Sequence, residues 1–112
     1  MAQFLLAVVY DPDVTVTTDT RAPEEAFAAV GAFNSELMDS KRFVYACGLT
    51  APAEGVTVTP EGQLSDGPVR AGGAQLGGFW VVEVDNRTEA EALAVRAASA
   101  CGREIELRAM QG

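Results

Sequence analysis

Residues 4–10 and 79–84 carry large apolar side chains at both odd and even positions. Successive side chains of a strand point to opposite faces, so each stretch reads as a strand buried on both sides. Such strands belong at the centre of a sheet. Residues 103–110 behave differently. Ile105, Leu107 and Ala109 alternate there with Glu104, Glu106 and Arg108. That is the pattern of an edge strand with one wet face.

Two helices are predicted between the strands. Over 23–40, Pro23 suits a first helical position, and Glu24 and Glu25 favour the positive end of the helix dipole. Phe27, Val30, Phe33 (or Asn34) and Leu37 then share one face, while Ala22 makes a weak cap. Over 89–101, Thr88 and Glu91 have capping-box spacing. Ala90, Leu93, Ala94, Ala97, Ala98 and Cys101 form the stripe, and Gly102 stands where a left-handed stop is needed. Residues 43–49 read as a further strand, and Val56–Thr59 with Gln63-Leu64 as a small hairpin about Pro60-Glu61-Gly62. Residues 11–22 form a long polar loop in which 14–17 could add a short edge pairing.

With right-handed crossovers this order gives one α+β domain over 1–112, a ferredoxin-like βαββαβ arrangement with an inserted hairpin. Its antiparallel sheet is covered by two helices on one face only. The central strands leave large apolar residues on the other face, a patch of about several hundred Å² or more that soluble monomers rarely expose. A twofold homodimer packed sheet against sheet is the expected remedy.

Net charge is −8, with eight Lys and Arg in all, which argues against nucleic acid or an anionic membrane as partner. No apolar run is long enough to cross a membrane, and Phe4–Tyr10 is short and lacks a basic lead for a signal peptide. A cytoplasmic location with reduced Cys47 and Cys101 follows as the expectation. Seven Arg against one Lys matches a usage associated with GC-rich bacterial genomes.

The run Ser65–Trp80 places five glycines and one proline ahead of an aromatic-led strand. It contains Asp66-Gly67-Pro68 and then Gln75-Leu76-Gly77-Gly78-Phe79. With the opening strand Phe4–Tyr10 and with Val82-Glu83-Val84-Asp85 before an alanine-rich helix, these motifs resemble the YCII-related (DGPF-motif) proteins of the dimeric α/β-barrel superfamily. The resemblance spans nearly the whole chain. It implies a ferredoxin-like subunit, a homodimer and a cleft near the Asp-Gly-Pro loop. Some relatives are associated with sigma-factor-like proteins, and others are treated as small-molecule enzymes using a His-Asp pair. Here Val69 replaces the motif's Phe, Ala71–Ala74 lack the usual charges, and the chain has no histidine. A His-Asp mechanism is thereby excluded.

Asp66 and Glu83 are the candidate catalytic carboxylates. Asp66 on a rigid loop suits a general base, although an Asp bonding its own backbone in an Asp-Gly turn is the plainer reading. Glu83 shares a face with Phe79 and Val81, where it could meet a cleft or reach water at the strand end. Tyr10, expected beside Glu83, could donate to a ligand. Phe79 and Trp80 could wall a pocket, and Arg70 could receive a carboxylate, although core packing and a solvated arginine are the plainer readings. Gly72-Gly73 and Gly77-Gly78 lead into a strand with no Walker lysine. They read as a flexible loop and a close backbone approach, not as a phosphate cradle. Without His or clustered ligands, no metal site and no cofactor are expected.

The leading expectation is a homodimeric small-molecule-binding protein, in which a cleft carboxylate could also support weak lyase- or isomerase-type proton transfer. The alternative is a non-catalytic accessory module linked to sigma-factor-associated regulation. A third is a member whose pocket is filled by side chains.

Overall fold

In a computed structural model that describes residues 1–14 and 20–111, the chain forms six strands and two long helices. They are β1 (Ala2–Tyr10), α1 (Pro23–Asp39), β2 (Phe43–Gly48), β3 (Val56–Val58), β4 (Leu64–Asp66), β5 (Gln75–Val84), α2 (Arg87–Cys101) and β6 (Glu104–Ala109). A 3-10 turn, Pro52–Glu54, precedes β3. Apart from Val14, the edge pairing expected of 14–17 lies outside the described residues.

The main sheet has the order β2-β5-β1-β6 and is antiparallel throughout, with the two doubly apolar strands at its centre. This is the ferredoxin-like arrangement. Both helices lie on the face that takes the even-numbered residues of β1 and β5. Phe4, Leu6, Val8, Trp80, Val82 and Val84 are buried there against Phe33 and Leu37 of α1 and Ala90, Leu93, Ala97 and Ala100 of α2. Ile105 and Leu107 pack on the same core from the edge. β3 and β4 form a separate two-stranded ribbon.

Local structure departs from the sequence reading in four places. First, β5 starts at Gln75, so Gly77 and Gly78 lie within a strand and not in the loop. The strand is kept by a bulge: Val8 faces Gly78, Val9 faces Leu76, and Gly77 is the extra residue. Second, Asn86 caps α2 in place of Thr88. Its Oδ1 accepts from the Glu89 backbone N–H at 2.9 Å, while Glu89 reaches back to the Asp85 N–H at 3.3 Å. Asn is as good a cap as Thr, and it stands two residues earlier. Third, the core-facing stripe of α1 begins at Ala29 and Val30, and Phe27, in the turn before, is 81% exposed. Fourth, the second hairpin strand runs to Asp66 instead of ending at Leu64, and pairs Asp66 with Val56.

The cap of α1 is as weak as expected: Ala22 offers no side-chain bond. Gly102 ends α2 at φ 69°, a conformation that suits glycine.

Candidate functional site

Along β5, the positions facing the helices are Gly78, Trp80, Val82 and Val84. Three of them fill the core, and Gly78 leaves a gap. Glycine is imposed there by β2, because a Cβ on Gly78 would stand 2.7 Å from the Cys47 carbonyl oxygen. The two backbones approach so closely that no side chain fits. The missing side chain, together with the small residues Ala46 and Gly48, leaves a cavity of about 230 Å³ at this end of the sheet.

Its apolar walls are Val8, Val30, Ala46 and Trp80, and Cys101 of α2 closes one side. The polar group is Asn34 on α1. The Trp80 indole N–H donates to Asn34 Oδ1 at 2.7 Å, and the ring meets Phe33 edge to face at 5.4 Å between centroids. The Asn34 amide N–H groups have no protein partner among the described residues, so the site keeps a donor for a ligand.

Beside the cavity, a Cβ on Gly77 would come within 2.9 Å of the Tyr10 ring and 3.1 Å of Arg103 Nη1. The Arg103 guanidinium lies over the Tyr10 ring, 4.2 Å from its centroid. Tyr10 and Arg103 therefore stand next to Gly77, just outside the cavity lining.

The structure gathers some of the sequence candidates here and disperses others. Trp80 presents its ring to the cavity. Phe79 borders it too, but its parity is that of the bare face, where its ring sits 6.3 Å from Tyr45. Tyr10 is not beside Glu83. Antiparallel pairing sets Tyr10 against Gln75 and Glu83 against Gln3, at opposite ends of β1. At about 3.3 Å per residue, Glu83 lies roughly 17 Å along the strand from Gly78. It is half-buried on the bare face, lining a separate hollow with Gln3 and Met110.

Asp66 is exposed at the end of β4, outside the cavity lining. Its carboxylate makes no hydrogen bond or ion pair among the described residues. Arg70 is exposed, its guanidinium about Gly73, and its carbonyl accepts from Gln75 Nε2 at 2.7 Å. Gly72 and Gly73 take φ of 91° and 75°, so this loop requires glycine for its left-handed turns. No group of three or more metal-ligating His, Cys, Asp or Glu side chains occurs among the described residues.

Sequence reasoning missed two contributors, Asn34 and Arg103. Asn34 was signalled by a polar residue sharing the apolar stripe of α1, and by a lone tryptophan whose buried N–H needs an acceptor. Arg103 carried no signal, because its place beside Gly77 depends on the bulge there.

A ferredoxin-like α+β subunit with one bare sheet face and an end-of-sheet cavity defines the class of protein. The chain belongs to the YCII-related domain family, whose model matches residues 2–102. No curated protein matches it. No helix among the described residues is long and apolar enough to cross a membrane.

Proposed function

We propose that this protein is a homodimer that binds a small organic molecule with an apolar body in the cavity above Gly78. The observation that carries the reading is the cavity itself: an apolar hollow of about 230 Å³ with one uncommitted amide donor. An engineered apolar cavity of about 150 Å³ holds benzene, so a substituted six-membered ring is within its capacity. No described carboxylate lines it. This favours binding over proton transfer by Asp66 or Glu83 within one subunit.

The bare face supports the dimer. Leu5, Val81, Tyr45 and Phe79 share it, with Tyr45 57% exposed. The subunit exposes 7606 Å², whereas a compact monomer of this mass exposes about 5,900 Å². A flat slab, 18 Å in its shortest dimension, fits a molecule that packs a second copy on one side. The β3–β4 ribbon carries Val56, Val58 and Leu64, all more than half exposed, and a lone two-stranded ribbon is marginal in water.

Phe27 on α1 and Val95 on α2, 81% and 70% exposed, favour a second reading as an accessory module. A sheet-to-sheet dimer leaves both on the outside, available to a partner such as a sigma-factor-like protein. That reading expects Phe27→Ser to abolish binding to such a purified protein while leaving the dimer intact.

The leading reading is tested by thermal shift with single-ring aromatic probes on the parent and on Ala46→Phe, which fills the cavity. Stabilisation is expected in the parent alone. Equal shifts in both proteins, or none in either, would remove the cavity as the site.

A further inference from the structure

Sixteen acids accompany only eight bases in this chain, so each arginine has carboxylates to choose from. Arg42, Arg87, Arg96 and Arg108 pair with Glu89, Glu91, Glu36 and Glu106. Arg21 donates to the Ala100 carbonyl. Arg70 and Arg103 make no ion pair among the described residues. Both flank the start of β5, Arg70 at Gly73 and Arg103 at Gly77, where the cavity lies.

Of the two, Arg103 is the better organised. Its guanidinium carbon lies over the Tyr10 ring, 4.2 Å from the centroid, and its N–H groups make no ion pair among the described residues, which leaves them for an oxyanion. Gly77, the residue it presses on, also lines the cavity. An apolar hollow with an uncommitted guanidinium beside one of its lining residues has the chemistry of a site for a small organic acid.

We infer that the ligand class is a small aromatic or aliphatic monocarboxylate, its apolar body beside Trp80 and Val8 and its carboxylate on Arg103. The inference rests on the cavity being the binding site. One guanidinium beside the cavity matches one carboxylate, so the class is a monoanion.

Calorimetric titration with benzoate and with its neutral counterpart benzyl alcohol tests this on the parent, Arg103→Gln, Arg103→Lys and Arg70→Gln. Benzoate is expected to bind the parent at least about tenfold tighter than benzyl alcohol, the range of a charge-assisted hydrogen bond. That preference should vanish in Arg103→Gln with benzyl alcohol binding unchanged, persist in part in Arg103→Lys, and survive Arg70→Gln. Equal binding of the two probes to the parent would overturn the role of Arg103 and leave the cavity as an apolar site. A preference lost in Arg70→Gln and kept in Arg103→Gln would move the carboxylate to Arg70 and overturn it too. Binding of neither probe would remove the cavity reading with it.

Discussion

Trp80 Nε1 donates to Asn34 Oδ1 across 2.7 Å, tying the centre of the sheet to the middle of α1. An indole N–H can only donate, so the bond fixes which amide atom faces the ring and leaves the Asn34 N–H groups on the side away from it. Trp80 is 5% exposed, and no water replaces a lost acceptor easily. Asn34→Leu is therefore expected to destabilise the fold by about 1–3 kcal/mol and lower the melting temperature by several degrees. Melting followed by the emission of this single tryptophan checks it, and an unchanged midpoint would contradict it.

Two glycines should respond to alanine in opposite directions. Gly31 sits within α1 with nothing within 4 Å of a Cβ, so Gly31→Ala should stabilise by about 0.5–1 kcal/mol. Gly78→Ala would press a methyl onto the Cys47 carbonyl and force β2 from β5. Denaturant titration should show a loss of about 2 kcal/mol or more. A Gly78→Ala protein as stable as the parent would mean that the strands are not so tightly apposed.

The start of α2 offers a direct comparison. Asn86→Ala removes the oxygen bonded to the Glu89 N–H and should cost about 1 kcal/mol, whereas Thr88→Ala removes no cap and should change stability by less than about 0.5 kcal/mol. Urea midpoints of the two variants decide between the caps.

Strand order was legible because it follows from burial at both parities. Only central strands need apolar residues on two faces, and β1 and β5 are central. The cap of α2 was less legible, since Asn86 with Glu89 and Thr88 with Glu91 have the same spacing and local sequence cannot rank them. The site was legible only in part. Trp80 could be read as a pocket wall, but the cavity arises where Gly78 meets the β2 backbone, a contact between residues about thirty positions apart in sequence. The expectation of Tyr10 beside Glu83 fails because β1 and β5 are antiparallel, so the end of β1 meets the start of β5.

Leu5 and Val81 face each other at the middle of the bare face. If that face joins two copies, Val81→Glu should convert a species of twice the 11.7 kDa chain mass into one of the chain mass by light scattering. Val95→Glu, on the helix side, should leave the larger mass unchanged. Both proteins keeping one mass would separate the bare face from assembly.

The emission of Trp80 on titration with benzyl alcohol tests the central claim, that the space left by Gly78 is a ligand site. The ring is the only tryptophan and forms one wall of the cavity, so occupancy must alter its surroundings. A saturable spectral change in the parent, absent in Ala46→Phe, is the expected result. A change that never saturates, or one that persists when the cavity is filled, would contradict the account.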